Sequence, residues 1–249
     1  MNGGASPVGG SSANDNMARQ REQIRPLLAP ADPGDAMAAY YALHYDARRV
    51  RLTLHTNPLG IVDGFAAVCQ TGRDLFVPLV VMRAPEAAVS DLLCKALQAG
   101  RFYTIIVPPG LQAAIEPAMR LEHRQTNLIY SLESSSFQPV LNVMVQPGGA
   151  PFRFEIKVGD RVVSAAGVNW YTSQLAEMYV YTEPTFQERG WGRAVGSRCV
   201  QALLEARLLP LYTVAQDNVV SQQLALTLGF RDSGARESEC QGQVSCQPS

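Results

Sequence analysis

The sequence lacks any apolar run long enough to cross a membrane. Its longest run, Leu75–Met82, has eight residues and contains a proline, whereas a transmembrane helix needs about 20 consecutive apolar residues. No signal peptide opens the chain. We therefore expect a cytoplasmic protein with no membrane partner.

Neither sign of charge is in excess. The net charge is −1, with 12 basic and 12 acidic residues up to residue 148 and 9 basic and 10 acidic residues after it. A nucleic-acid-binding domain usually carries a clustered excess of lysine and arginine. The charge balance therefore predicts no nucleic-acid partner.

Histidine and cysteine are also scarce, with three and five residues. Cys69, Cys94 and Cys199 lie in apolar segments, which is typical of core positions. Cys240 and Cys246 lie in a polar segment with no histidine close enough to suggest a metal site. An odd, scattered set of cysteines predicts reduced thiols, no bound metal and a reducing compartment.

Polarity and proline content divide the chain into four parts. Residues 1–18 contain little that could be buried and are predicted to be a disordered leader. Residues 233–249 are predicted to be a polar tail. The two halves between them, 19–148 and 149–232, are joined by a linker rich in proline and glycine.

Both halves share one order of predicted elements. Each has an antiparallel strand pair, a proline, a helix, a strand, a short helix and a last strand, and Val80–Pro85 can be aligned with Tyr179–Pro184. Simple alternation of helices and strands could imitate such a match. The order predicts an α/β (α+β) fold, with a mixed, mostly antiparallel sheet and flanking helices, in two tandem halves.

A glycine-containing turn follows the predicted strand Leu175–Thr182. Gly190 and Gly192 leave side-chain-free backbone where this strand gives way to a helix. The helix N-terminus carries about half a positive charge, so such a turn can bind a diphosphate. Arg189 and Arg193 flank the turn and could pair with further phosphate charge.

Two elements of the second half resemble those of one enzyme family. Gln187, Gly190 and Gly192, in the spacing Gln-x-x-Gly-x-Gly after a strand and a proline, resemble the signature of the GNAT superfamily of N-acetyltransferases. The strand that ends at Asn218 and the short helix that closes on Gly229–Phe230 are similar to the family's next element. A single Gly-x-Gly is weak evidence, but two such elements in order are a specific signal.

The resemblance covers about residues 150–232. The first half has nothing like Gln-x-x-Gly-x-Gly between Pro85 and Ala88. We therefore interpret residues 19–148 as a degenerate GNAT-like copy without the loop that could cradle a diphosphate.

The resemblance implies acetyl-CoA as the cofactor. Backbone N–H groups of the loop would bind its diphosphate, and its pantetheine arm would pair with the preceding strand like an additional strand. A backbone N–H on that strand would polarise the thioester carbonyl. The implied cofactor-binding residues are Val180, Tyr181, Thr182, Gln187, Glu188, Arg189, Gly190, Trp191, Gly192, Arg193 and Asn218.

Glu177 is the candidate catalytic base. Strand alternation places it on one face with Tyr179 and Tyr181, and many GNAT relatives have a strand carboxylate there that acts through water. A hydrogen-bonded structural glutamate is the alternative. Relatives often carry a tyrosine as thiolate acid seven residues after the asparagine, where this chain has Ala225. Either a water or another tyrosine serves instead, or the thiolate leaves unaided.

Three further positions have a structural alternative. Glu183 is a second candidate base, but it could equally be a turn residue before Pro184. Trp191 could pack against its neighbours, and Asn218 could cap the last helix.

The sequence thus predicts an acetyl-CoA-dependent N-acetyltransferase that acetylates a primary amine by direct attack. The acceptor would be a small-molecule or peptide amine. The oligomeric state stays open, with a homodimer as one option, because the sequence does not show which strand edges are covered. The alternative is a non-catalytic acyl-CoA-binding or interaction module, because the loop is intact whereas the acid position is Ala225. A nucleotide-phosphate binder is a third option, although the motif Gly-x-x-x-x-Gly-Lys-Ser/Thr is absent.

Overall fold

The structure, a computed structural model, describes residues 10–72, 74 and 76–246. The chain forms two compact units. Unit 1 comprises the described residues up to Pro30, Met37–Arg124 and those from Ser238, and unit 2 comprises Ala31–Ala36 and Gln125–Glu237. The boundary between the units does not fall at residues 148 and 149, where the sequence predicted it. The segment from Gln125 belongs to unit 2, and the segment from Ser238 belongs to unit 1.

The first half of the chain begins with helices, which strands and short helices follow. Its elements are helix α1 (Gly10–Ile24), helix α2 (Ala36–Ala39) continued by a π-helical turn (Tyr40–His44), strands β1 (Val50–Thr56), β2 (Val62–Cys69) and β3 (Leu79–Arg83), helix α3 (Val89–Ala96), strand β4 (Phe102–Val107), helix α4 (Gln112–Ile115) and strand β5 (Met119–Ser131).

After one additional short strand, the second half repeats the order from β1 onward, and its two helices are longer than α3 and α4. Its elements are strands β6 (Gln146–Pro147), β7 (Phe154–Val158), β8 (Arg161–Tyr171) and β9 (Leu175–Thr182), helix α5 (Trp191–Glu205), strand β10 (Leu209–Ala215), helix α6 (Val219–Thr227) and strand β11 (Arg231–Val244).

The sheets of both units have the same strand order. In unit 1, β1, β2 and β3 are antiparallel neighbours and β4 lies parallel to β3. In unit 2, β7, β8 and β9 are antiparallel neighbours and β10 lies parallel to β9. Helices α3 and α5 make the crossovers that parallel pairs require. The predicted mixed, mostly antiparallel α/β fold in two tandem halves is confirmed.

Two strands exchange between the repeats. Ser238–Gln243 of β11 pair antiparallel with β4 in unit 1. Asn127–Ser131 of β5 pair antiparallel with β10 in unit 2. Each unit is therefore completed by a strand from the other half of the sequence.

The expectation of a polar tail over residues 233–249 is wrong for residues 233–244, which belong to β11. Cys240 and Val244 are buried in this strand. Backbone hydrogen bonds to β4 hold β11 in the sheet. Because backbone hydrogen bonds do not depend on side-chain hydropathy, the composition of the segment could not reveal the strand. Residues 247–249 lie outside the described residues.

The expectation of a disordered leader is also wrong for residues 10–18, which form the first part of α1. Arg21 anchors this helix, since its Nε donates to the carbonyl of Ala42 at 3.1 Å and its Nη2 donates to the carbonyl of Tyr45 at 2.5 Å. Ile24 is fully buried. Residues 1–9 lie outside the described residues.

The expectation of reduced thiols needs correction at one pair, because Cys94 and Cys246 form a disulfide. They lie 152 residues apart in the sequence, so no local spacing could have revealed the pairing. Cys69, Cys199 and Cys240 are free and buried. Burial raises the pKa of the Cys69 and Cys199 thiols to about 12, which agrees with their predicted place in the core.

Candidate active site

Strands β9 and β10 separate within unit 2. They pair in parallel at three positions, of which Glu177 with Leu211 is the last. Strand β9 nevertheless continues to Thr182 and β10 to Ala215, while β8 pairs with β9 along its other edge. We call this separation beyond Glu177 and Leu211 the fork. Beyond Glu177 the edge of β9 is thereby left to an additional extended chain, as the predicted pairing of the pantetheine arm requires.

The loop after β9 has two residues in the left-handed backbone conformation. Glu188 has φ +62° and Gly190 has φ +72°. A non-glycine residue in this region costs roughly 1–3 kcal/mol and persists where the surroundings require it. Alternation of right- and left-handed residues turns successive N–H groups into an anion-binding concavity.

Helix α5 begins directly after this loop. Its first helical hydrogen bond is donated by the Ala194 amide to the Gly190 carbonyl at 3.0 Å. The amides of Trp191, Gly192 and Arg193 precede that bond and are the donors that a helix N-terminus leaves for capping groups or ligands. The loop and the helix start thus combine into one cradle of backbone donors.

The two loop glycines serve different purposes. A Cβ at Gly192 would lie 3.0 Å from Thr182 Oγ1, so this glycine lets α5 approach β9 closely. A Cβ at Gly190 would meet no protein atom within 4 Å. The outer side of Gly190 is therefore open to a ligand.

An aromatic pair supports the loop. Phe186 and Trp191 stack at 5.4 Å between ring centroids with an interplanar angle of 18°. The Arg189 guanidinium lies 5.1 Å from the Phe186 ring and 5.4 Å from the Trp191 ring, which holds its positive charge beside the cradle. Trp191 therefore packs, as its alternative interpretation proposed. Phe186 was not among the predicted site residues, although an aromatic residue next to the loop was a usable signal.

Three other predicted residues have identifiable local positions. The Gln187 side chain donates from Nε2 to the Thr182 carbonyl at 3.4 Å and so folds back onto β9. Arg193 is exposed in the first turn of α5. Asn218 Oδ1 accepts from the Ser221 amide at 3.0 Å, which confirms the capping alternative for Asn218.

Glu177 lies on the sheet face opposite α5. Ala176, Met178 and Val180 belong to the apolar cluster around α5, so alternation places Glu177 on the other face with Tyr179 and Tyr181. The Glu177 residue is 5% exposed. The structure thus brings the predicted base to the last paired position of β9, where the fork begins.

A polar network occupies the same face. Arg153 Nη1 donates to the Tyr179 hydroxyl at 2.7 Å, and Arg153 Nε donates to Glu155 at 3.3 Å. Lys157 and then Arg153 lower the pKa of the Glu155 carboxyl. The Tyr179 ring lies across Gly167, because a Cβ there would be 2.8 Å from the hydroxyl.

The second candidate base is engaged elsewhere. Glu183 is buried and forms an ion pair with Arg161, whose Nε and Nη2 lie 2.8 and 2.7 Å from its two carboxylate oxygens. Glu183 also precedes the 3₁₀ turn Pro184–Phe186 as its N-cap. These contacts favour the structural alternative for this residue.

Tyr212 follows the last paired position of β10 and belongs to the cluster on the α5 face. It is 3% exposed, and its hydroxyl lies 3.0 Å from the Ser221 hydroxyl. Burial raises the pKa of Tyr212. This residue was missed from the sequence because its partner is on the next helix. Ala225, at the position where relatives often carry an acid, is fully buried.

Comparison with known families identifies this region. Residues 152–236 match the family model described as GNAT acetyltransferase. We call these residues the GNAT domain, after the family model that they match. The match includes the whole fork, the cradle and Glu177, so every predicted site residue lies within the GNAT domain.

Solved structures share the fold over most of the chain. A GCN5-related N-acetyltransferase from Kribbella flavida has 15% identity and a TM-score of 0.58, with 84% of this chain and 95% of that chain covered. A GNAT-family acetyltransferase from Colwellia psychrerythraea has 10% identity and a TM-score of 0.57, with 95% and 98% covered. A tandem GNAT protein from the clavulanic acid biosynthesis pathway has 10% identity and a TM-score of 0.57, with 93% and 96% covered. No curated protein matches the chain.

Unit 1 contains the same turn as the GNAT domain without its loop. Pro85 caps the 3₁₀ turn Glu86–Ala88 with φ −57° and ψ 140°, and Glu183 caps the turn in unit 2 with φ −56° and ψ 140°. Helix α3 then starts directly at Val89, whereas Gln187–Gly190 precede α5. These backbone angles align Pro85 with Glu183, one residue away from the sequence-based alignment with Pro184.

The same alignment places Leu79 where the GNAT domain has Glu177. Unit 1 therefore has neither the cradle residues nor the carboxylate, which supports its interpretation as a degenerate copy. Within the described residues no helix is long and apolar enough to cross a membrane. In the same part of the chain, no group of three or more His, Cys, Asp or Glu residues could hold a metal ion.

Proposed function

We propose that the protein is an acetyl-CoA-dependent N-acetyltransferase that acetylates a primary amine by direct attack. The GNAT domain and fold support acyl transfer in general. The observation that carries the proposal is the cradle of backbone donors from Glu188 to Arg193, which lies beside the fork of the parallel strands.

The cradle suits the diphosphate of acetyl-CoA. It offers amides at the N-terminus of a 15-residue helix, an open side at Gly190 and the cation of Arg189. The β9 backbone at Val180–Thr182 would hold the pantetheine arm, with Asn218 on the opposite side of the fork. When bound, acetyl-CoA supplies an acetyl group activated as a thioester.

Glu177 is proposed to take the proton of the attacking amine. It is a carboxylate at the start of the fork and is almost fully buried, where few waters compete for its oxygens. The Arg153–Tyr179 network on the same face would contact the acceptor, a small-molecule or peptide amine. No nucleic acid is proposed as a partner, because the charges of the chain are balanced.

The proton for the leaving thiolate needs a source other than Ala225. The Tyr212 hydroxyl is the candidate, because Tyr212 is the first residue of β10 beyond the paired positions and the hydroxyl stays protonated through its raised pKa. Ser221 orients this hydroxyl at 3.0 Å. Glu177 and Tyr212 would then act on the reacting groups from the two faces of the sheet.

The alternative proposal is a non-catalytic acyl-CoA-binding or interaction module. The buried Ala225 at the acid position favours it, whereas the Tyr212–Ser221 pair favours the enzyme. A homodimer in the cytoplasm remains part of our proposal. Disulfides persist mainly in oxidising surroundings, so the Cys94–Cys246 disulfide is relevant to the proposed cytoplasmic location. Thiol trapping of the protein in intact cells tests whether the disulfide is present there.

Turnover separates the two proposals. We expect coenzyme A release from acetyl-CoA with at least one member of a panel of aminoglycosides, polyamines, amino acids and peptides. The variant Glu177→Gln should lower kcat roughly 10²–10⁴-fold and leave the Kd of coenzyme A unchanged.

Glu183→Gln is the matched control. It removes the same charge from a neighbouring buried carboxylate, and corrected for folded protein it should retain activity. Binding of coenzyme A without turnover of any amine would support the module, and full activity of Glu177→Gln would remove Glu177 as the base.

A further inference from the structure

Unit 1 contains a cavity of about 250 Å³ that carries an unusual concentration of positive charge. Val68 and the ring of Tyr103 are among its lining residues, as are Gln70 and Gln98. Four arginines line it as well, namely Arg48, Arg49, Arg51 and Arg101. In sequence the first three resemble an ordinary solvated corner, and the fold adds the fourth from a distant segment.

Two of these arginines are held in place by their surroundings. Arg51 Nη2 donates to the carbonyl of Ala96 at 2.5 Å, at the C-terminal end of α3. The Arg101 guanidinium lies 5.7 Å from the centroid of the Tyr103 ring. The Tyr103 hydroxyl is itself fixed, since it accepts a hydrogen bond from the backbone N–H of Gln98 at 3.1 Å. The guanidinium groups are therefore oriented without an acidic partner.

The charge of the cavity is mostly uncompensated. Arg48 pairs with Asp46 at 3.0 Å. Over the part of the chain that the structure describes, no carboxylate lies within ion-pair distance of Arg49, Arg51 or Arg101. The like charges of Arg49, Arg51 and Arg101 line one concave surface and repel each other, and a bound anion would offset that repulsion.

We infer that this cavity is a binding site for a small anion with two phosphate groups, such as a diphosphate. Guanidinium groups bind phosphate oxygens through two parallel hydrogen bonds, so a set of arginines favours more than one phosphate. The side-chain amides of Gln70 and Gln98 can donate to the same ligand. The small, concave shape fits a compact anion better than an extended polymer.

Inorganic pyrophosphate is the probe, titrated by calorimetry into the full-length protein in buffers of about 0.15 M ionic strength. Because the cradle at the start of α5 could also bind this probe, the titration uses the Gly190→Asp background. Gly190 belongs to unit 2, so this change leaves the arginine cavity intact. Inorganic phosphate and citrate are titrated in parallel, to compare one phosphate and a carboxylate-based anion.

Arg49→Gln combined with Arg101→Gln removes two charges without touching the hydrogen bond from Arg51 to Ala96. Arg231→Gln, an exposed arginine of unit 2, is the control. We expect saturable binding of one pyrophosphate, weakened at least about tenfold by the double substitution and unchanged by the control.

Thermal unfolding of each variant confirms that it is folded. The inference fails if pyrophosphate does not saturate a site, or if the double variant binds it as tightly as its parent. It also fails in its choice of ligand if citrate binds more tightly than pyrophosphate.

Discussion

Glu177 and Tyr212 lie at the start of the fork on opposite faces of the same sheet. Glu177 pairs with Leu211, Tyr212 is the next residue along β10, and its ring belongs to the apolar cluster around α5. A carboxylate and a neutral phenol thus lie at the start of the fork, one on each face of the sheet. This relationship gives the proposed enzyme a base and an acid without a tyrosine at position 225.

The proposed acid is tested by Tyr212→Phe. Loss of the hydroxyl should lower kcat roughly 10²–10³-fold, in the range expected for general acid catalysis, while the Kd of coenzyme A stays constant. A structural tyrosine would instead change stability without changing kcat of the folded protein. Ser221→Ala, which keeps the tyrosine but removes its 3.0 Å partner, should give a smaller decrease.

The disulfide between Cys94 and Cys246 should stabilise the protein considerably. It closes a segment of 152 residues, and cross-links over long segments typically contribute about 2–5 kcal/mol by restricting the unfolded chain. We expect Cys246→Ser to lower the free energy of unfolding by that amount in urea titrations.

Reduction of the wild type provides the control, since it should reproduce the stability of Cys246→Ser. Reductant should have no further effect on the variant. Equal stabilities of oxidised and reduced wild type would contradict the pairing of Cys94 with Cys246.

The free buried thiols predict a dependence of stability on pH. The pKa of Cys69 and Cys199 is raised to about 12 in the folded state, against about 8.5 in an unfolded chain. The contribution of these thiols to the free energy of unfolding is complete below the pKa of the unfolded state. It is lost as the pH rises towards the pKa of the folded state. Between these values the folded state binds more protons, so stability falls by roughly 1 kcal/mol per pH unit and thiol.

Urea unfolding at pH 7.5 and pH 9.5 measures this loss. The double variant with Cys69→Ala and Cys199→Ala should show a smaller decrease between the two pH values, although it starts from a lower stability. An identical decrease in both proteins would show that other groups cause the dependence.

Local sequence signals predicted the cradle because its geometry depends on local requirements. Gly190 needs a positive φ and Gly192 must allow close approach of Thr182, and both needs are visible as glycines at a strand-to-helix transition. The alternation around Glu177 likewise predicted which face it occupies. The repeat of the two halves followed from the order of elements.

Long-range pairing could not be predicted in the same way. The exchange of β5 and β11 rests on backbone hydrogen bonds between distant segments, and β11 is too polar to show a buried strand. The Cys94–Cys246 disulfide depends on the same kind of long-range arrangement. The approach of Arg101 to Arg48, Arg49 and Arg51 depends on the fold of unit 1. Sequence spacing contains no signal for such contacts.

The central claim is that the backbone cradle around Gly190 binds the diphosphate of coenzyme A. Gly190→Asp and Gly190→Asn place side chains of the same shape at the same left-handed position, and both residue types tolerate it. The two variants therefore differ only in one negative charge beside the diphosphate. Thermal unfolding should show both to be folded.

Calorimetric titration with coenzyme A measures the outcome directly. The account predicts that Gly190→Asn weakens binding moderately and that Gly190→Asp weakens it by at least about another tenfold, since like charges would meet at the open side of the loop. Wild-type affinity for coenzyme A in both variants would contradict the claim.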